Sequence, residues 1–537
     1  MGFKTLWTDS SFAKYVRTLR ALPSELFNRH LFISAIVYAT SSMPGTWDQG
    51  SSSVVASLPG FRAHFGISSA TDAKAIRHFV SLPFVGMAIG ALLSFFLNDH
   101  VGRLWAYRIY ISVFIVGQMI ATASPDVSGL YAARVLGGLG TGALTVTGPM
   151  SLVEIAPAEI RGVLTTWFTI AMAASLVAAN FCVYGIFKNM PDSRLQYQIV
   201  FFAPCIFLAL CIVASFFICE SPRWLALMER YEDAGQTLAK IRGLPRDHPI
   251  VQKELSEIQT AISREREHHG PKVNAGLISI LKEVFTVKAN LRRLQQIVVS
   301  YALAQLSGAN AVTSYFVPIL ALLGVSSGPQ QNIFLSGMYG VSKLVFGIMT
   351  SFFFVDALGR RKSLFIGITF QMISDIYLGV YVKFKQEDNA NEASSRAAIA
   401  LIFLHAFGYA VGLFALPYIF GSELWPNRIR SFGGALSQCL HWLFIYAMIF
   451  YTPSLLSDTN NWGAFIFFAS WCFIAIIYVF MAVPEVSGLT VEEIETLFEG
   501  PWFTAYRRSK KPNSFDGVES DRIETELSEK GEELVKR

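Results

Sequence analysis

The chain has 537 residues, of which 53% are hydrophobic and 15% charged, with a formal net charge of +5 and a mean hydropathy of +0.43. A soluble protein of this length carries about 25% charged residues, so a water-soluble globular fold is excluded. The positive balance does not imply nucleic acid as a partner, because its distribution along the chain follows membrane topology instead.

Taken in chain order, residues 1–30 carry Lys4, Lys14, Arg17, Arg20 and Arg29. They lack the short apolar core and small-residue cleavage site of a secretory signal, so a retained, cytoplasmic N-terminal segment is expected. Apolar runs of roughly 20 residues, each long enough to cross a bilayer, then recur at about 31–53, 77–97, 104–124, 128–150, 163–187, 198–219, 295–323, 333–355, 363–384, 397–421, 432–454 and 462–483. These twelve runs predict an all-α integral membrane protein. They fall into a bundle of six spans at 31–219 and a second at 295–483, with a polar helical segment at 220–294 between them and a polar tail at 484–537. With the N-terminus inside, and with Arg77, Arg108 and Lys383 near span ends counted with the adjoining side, 34 Lys and Arg lie on the inner side, 8 outside and 2 within spans, which places both termini and the central segment in the cytoplasm. The six cysteines lie in or beside apolar runs without metal or redox spacing and read as packing residues.

The halves repeat each other. "NDHVGR" (98–103) matches "VDALGRR" (355–361), "VEIAPAEIRG" (153–162) matches "SELWPNRIRSFG" (422–433), and "ESPRWL" (220–225) matches "PEVSGL" (484–489). The three pairs keep their order at offsets of 257, 269 and 265 residues, measured from Asp99, Glu154 and Glu220. A six-span unit has been duplicated, and repeat-built membrane proteins bind a solute near the midplane and work by alternating access. The repeated charges, Asp99, Arg103, Glu154, Arg161, Glu220 and Arg223 in one half and Asp356, Arg360, Glu423, Arg430 and Glu485 in the other, fall at inner span ends. As acid and base recurring together they predict interlocking ion pairs that gate the inner side, with plain interfacial anchoring as the alternative.

These motifs, with "RVLGGLGTG" (134–142), "QLSGAN" (305–310) and "PEVSGLTVEEIETLF" (484–498), resemble the sugar porter branch of the major facilitator superfamily, in its fungal form. The resemblance covers about 30–500. It implies two six-helix bundles joined by a cytoplasmic helical domain, and proton-coupled import in many members. It also implies that Asp48 and Arg134 form the proton-coupling pair. Depth agrees: Asp48 lies roughly 26 Å into an outward-running helix and Arg134 roughly 9 Å into an inward-running one, so both sit in the outer half of the membrane. An ordinary solvated acid in a wet vestibule is the alternative for Asp48.

Gln305 and Asn310 of span 7, Lys343 of span 8, and His441 and Trp442 of span 11 lie near mid-bilayer by the same arithmetic, and the resemblance implies a solute site there. Several positions depart from the family's usual glucose site: one Gln of the span 7 pair is Ala304, the span 5 amide is Thr169, the span 10 aromatic is Tyr418, and the span 11 amide is His441. A lysine at a helix centre costs on the order of 3 kcal/mol. Lys343 either pairs within the protein or holds the carboxylate of an acidic solute, for which galacturonate and quinate are the expected types. "LGGLGTG" has no preceding strand and no GK[ST], so its glycines serve helix packing. No catalytic, metal or nucleotide constellation is present in the sequence.

The expected function is therefore import of a sugar or sugar-derived acid with a proton, the proton being the coupling ion and no other cofactor being needed. The expected setting is a monomer in the plasma membrane bilayer. An uncoupled neutral-hexose facilitator and a non-transporting nutrient sensor of the same fold remain as alternatives.

Overall fold

Hydrocarbon offers backbone N–H and C=O groups no water, so each apolar run must satisfy them within its own helix. The computed structural model describes residues 17, 28–68, 73–157, 160–269, 277–324, 328–350, 360–388, 391–414, 425 and 429–483. The helices in chain order are α1 (Arg29–Ala39), α2 (Met43–Val55), α3 (Pro59–Phe65), α4 (Ala73–Val101), α5 (Arg103–Ala123), α6 (Val127–Ile155), α7 (Arg161–Asn189), α8 (Leu195–Ser215), α9 (Pro222–Leu227), α10 (Tyr231–Arg242), α11 (Pro249–His269), α12 (Leu277–Thr286), α13 (Lys288–Leu306), α14 (Ala309–Ser314), α15 (Phe316–Leu322), α16 (Pro329–Met349), α17 (Arg360–Gln386), α18 (Glu392–Val411), α19 (Arg430–Asp458) and α20 (Trp462–Ala482).

Nine helices among the described residues are long and apolar enough to cross a membrane unbroken. The other three crossings are α1–α2, α6 and α13–α15, and each fails that simple criterion for a physical reason. α6 is diluted by glycine and threonine. Gly138 and Gly142 lie against the Pro83 and Met87 carbonyls of α4, while Gly86 and Gly90 of α4 lie against the Val135 and Leu139 carbonyls of α6. A Cβ at any of the four would overlap the facing backbone, so small residues set this close approach.

The first crossing, expected as one run, is broken. A 3₁₀ turn at Thr40–Ser42 separates α1 from α2, and Pro44 enters the first turn of α2. The hydroxyls of Thr40, Ser41 and Ser42 donate back to the carbonyls of Val37, Tyr38 and Ala39, which makes the break self-satisfied. The seventh crossing breaks at Gly308, whose φ of +80° is left-handed and suits a residue without Cβ. It also begins at Lys288, ahead of the apolar run at 295.

The two bundles meet along α4 against α19 and α7 against α16. These are the second span on the eleventh and the fifth on the eighth, the same contact made twice, as a duplicated unit requires. Between the bundles in sequence, α9–α11 share a small core of Trp224, Leu225, Ala234, Leu238, Val251 and Leu255. Buried Arg242 ties this core to α6: it forms a bidentate pair with Glu254, at 2.9 and 2.6 Å, and donates to the Ile155 carbonyl at 2.9 Å. The side of the molecule that carries α9–α12 is termed the linker face below.

Candidate functional site

The breaks in the first and seventh crossings turn polar side chains toward one space between the bundles. There a cavity of about 90 Å³ is bounded by α2, α4, α6, α7, α14, α16, α18 and α19. Of the residues expected from sequence, Thr169, Asn310, Lys343, His441 and Trp442 all line it. Gln305 does not: it is buried behind the wall and its Oε1 accepts from Asn310 Nδ2 at 2.7 Å. Its place is to orient Asn310. Tyr418 lies outside the described residues. Trp442 stacks on Phe84, with centroids 6.0 Å apart, and its indole N–H donates to Thr145 at 3.3 Å. His441 packs beside Tyr301 and Trp442, at centroid distances of 4.9 and 5.0 Å.

Lys343 Nζ donates to Thr313 Oγ1 at 2.9 Å. It also faces the rings of Tyr339 and Tyr409, at 5.7 and 5.9 Å from their centroids. Among the described residues no carboxylate lies within ion-pair distance of it. Gln49, Thr145, Thr313 and Tyr409 were not singled out in the sequence. Gln49 adjoins Asp48 and Thr313 lies one turn after Asn310, so both carried a readable signal. Thr145 and Tyr409 carried none.

Asp48 of α2 is ion-paired with Arg134 of α6, and both side chains are buried. The remaining guanidinium nitrogens donate to the Phe79 carbonyl at 3.1 Å and the Ser52 hydroxyl at 2.5 Å, and the guanidinium lies 4.5 Å from the Phe79 ring centroid. In this conformation Asp48 is therefore no open-vestibule acid. On the side away from the linker face the halves are joined. Gln49 donates to Asn310 at 3.2 Å and Ser336 to Asn180 at 2.9 Å. Arg77 lies over Phe450 at 4.4 Å, and Phe334 packs on Phe181 and Tyr184.

At the linker face, Arg103 forms a bidentate pair with Glu154, both distances 3.0 Å, and a third bond to Asp99 at 3.0 Å. Glu220 accepts from the backbone N–H groups of Arg103, Leu104 and Ser221. Burial nevertheless pushes its carboxyl up from the usual range. Among the described residues neither Arg161 nor Arg223 forms an ion pair with this cluster, although Arg223 acts on Glu154 electrostatically. Both are exposed, while Trp224 beside Arg223 packs into the small core of α9–α11. Asp356, Glu423 and Glu485, with the side chains of Arg360 and Arg430, lie outside the described residues.

The family model described as "Sugar (and other) transporter" matches residues 34–498. The quinate permease of Emericella nidulans is 28% identical over 488 residues, covering 89% of this chain and 90% of that protein. A probable quinate permease of Aspergillus flavus is 29% identical over 490 residues, with the same coverage. Among solved structures, the major facilitator proton:xylose symporter XylE bound to 6-bromo-6-deoxy-D-glucose shares the fold, with a TM-score of 0.71 at 21% identity, covering 88% of this chain and 99% of that one. The inward-open form of the xylose transporter XylE from E. coli aligns with a TM-score of 0.68 at 21% identity. With its twelve crossings in two repeated bundles and its cavity between them, the chain is a multi-pass membrane transporter, not an enzyme; it has the major facilitator fold and belongs to the sugar transporter family.

Proposed function

We propose that this protein imports a small polyhydroxy acid, of the quinate or sugar-acid type, together with a proton. The observation that carries the reading is Lys343: an amine at the cavity wall, held by one hydroxyl and two ring faces, with no carboxylate of the described chain in ion-pair reach. A solute carboxylate supplies the missing charge partner, and Asn310, Thr169 and His441 offer hydrogen bonds to its hydroxyls. The printed names of the relatives point the same way. In this reading the linker face is cytoplasmic, the membrane is the plasma membrane, and the conformation described is closed to the outside. Asp48 takes a proton from the outer side, releases Arg134, and so links proton entry to closure. Arg103, Glu154, Asp99 and Glu220 hold the inner ends of the first bundle together in the conformation described.

The test is uptake of labelled quinate, galacturonate and glucose in a transporter-deficient cell at several external pH values. Acid uptake that rises as pH falls, and drops tenfold or more (~1.4 kcal/mol or more) in Lys343→Met, is the expected result. Glucose uptake that survives Lys343→Met unchanged, with no acid uptake in wild type, would overturn the carboxylate role.

A further inference from the structure

Behind the cavity wall, inside the second bundle, a set of buried polar groups has no task in the mechanism above. Asp375 sits near the middle of α17 and His405 in α18. Both are fully buried, and His405 Nε2 lies 3.6 Å from Asp375 Oδ1. The same nitrogen is 3.2 Å from the Ser307 carbonyl oxygen. Gln371 Nε2 reaches the Ser307 hydroxyl at 3.2 Å and His405 Nε2 at 3.4 Å. Neither Asp375 oxygen, nor His405 Nδ1, has a hydrogen-bond partner among the described residues.

Ser307 directly precedes Gly308, where the seventh crossing breaks. A helix end leaves carbonyls that need partners, and His405 is placed to serve the one at Ser307. The other titratable groups facing the pair are Tyr339 of α16 and Cys472 of α20, on Asp375, and Lys343 of α16, within electrostatic reach of His405. Lys343 is held by Thr313, on the helix beyond the break. Tyr409, one turn on from His405, faces Lys343. The pair thus touches both the break and the surroundings of the cavity amine. A carboxylate buried without donors does not stay charged alone; it takes up a proton or finds a cation.

We propose that Asp375 and His405 form a second proton-binding site, separate from Asp48 and Arg134, whose occupancy sets the geometry of the break in the seventh crossing. With the proton on Asp375, His405 Nε2–H donates to the Ser307 carbonyl. With Asp375 ionised, the imidazole is drawn to the carboxylate and that support weakens. The proton is exchanged with water, and no other reactant takes part. The inference does not rest on the solute being an acid.

The test needs no solute. Infrared difference spectra of the purified full-length protein, stepped from about pH 5 to about pH 9 to span the carboxyl and imidazole ranges, report protonated carboxyls directly. The expected result is a band that fades as pH rises in wild type and in Asp48→Asn and is absent in Asp375→Asn. A band missing from wild type, constant with pH, or unchanged in Asp375→Asn would overturn the site. If Asp375→Asn fails to accumulate, His405→Gln in the same titration must shift the band's midpoint, and an unmoved midpoint overturns the pairing. Hydrogen exchange over residues 303–312 then reads the break. It should change across the same pH interval in wild type and not in His405→Gln; pH-independent exchange in wild type sinks the coupling.

Discussion

Asp48 and Arg134 illustrate how a single residue pair concentrates free energy. Removing one partner of a buried ion pair costs about 3–5 kcal/mol, because the other charge is left uncompensated. Arg134→Leu should therefore lower the thermal unfolding midpoint sharply, and adding Asp48→Asn should recover much of the loss. A double variant no more stable than Arg134→Leu would show that the two do not act as a pair. Function separates from stability in Asp48→Asn alone. If the acid carries the proton, this variant should lose accumulation of labelled quinate against a gradient yet keep exchange of internal for external solute. Accumulation equal to wild type would place coupling elsewhere.

At the scale of elements, the helices that matter most are those that deviate from a plain apolar cylinder. α6 sacrifices hydropathy for glycine so that it can approach α4 backbone to backbone. Gly90→Ala should cost about 1–3 kcal/mol through overpacking, because the obstacle is the Leu139 backbone rather than a movable side chain. Gly185→Ala, where a Cβ meets nothing within 4 Å, is the control and should leave the melting temperature unchanged or raise it. The linker helices hang on Arg242 in the same localised way. Arg242→Ala removes the pair with Glu254 and the bond to the Ile155 carbonyl, and limited proteolysis should then cut at α10–α11 ahead of the bundles.

For the whole molecule, alternating access demands that the contacts closing one side be broken in every cycle. Asn180 and Ser336 join the halves on the side away from the linker face. In a background lacking the native cysteines, a cysteine pair at 180 and 336 should cross-link on oxidation and stop uptake, with recovery on reduction. Full uptake with the bridge intact would mean that these faces do not separate during transport.

Much of this architecture was legible in the chain because hydrocarbon imposes a rule on the residues themselves: about 20 apolar residues per crossing, basic residues on one side. The twelve runs, the duplication and the family could thus be read from 30–500 without coordinates. What sequence could not decide was lateral position, because rise gives depth but not rotation about the helix axis or the neighbour across it. Hence Gln305 was placed in the cavity when it stands behind it, and Arg161 was joined to a cluster with which it makes no ion pair among the described residues. Thr313 and Tyr409 became neighbours of Lys343 only when separate helices converged. The pairing of Asp375 with His405 across α17 and α18, against the carbonyl freed at Gly308, was likewise decided by the tertiary structure alone. Thirty residues of sequence separate that pair, and only the packing of three crossings brings it together.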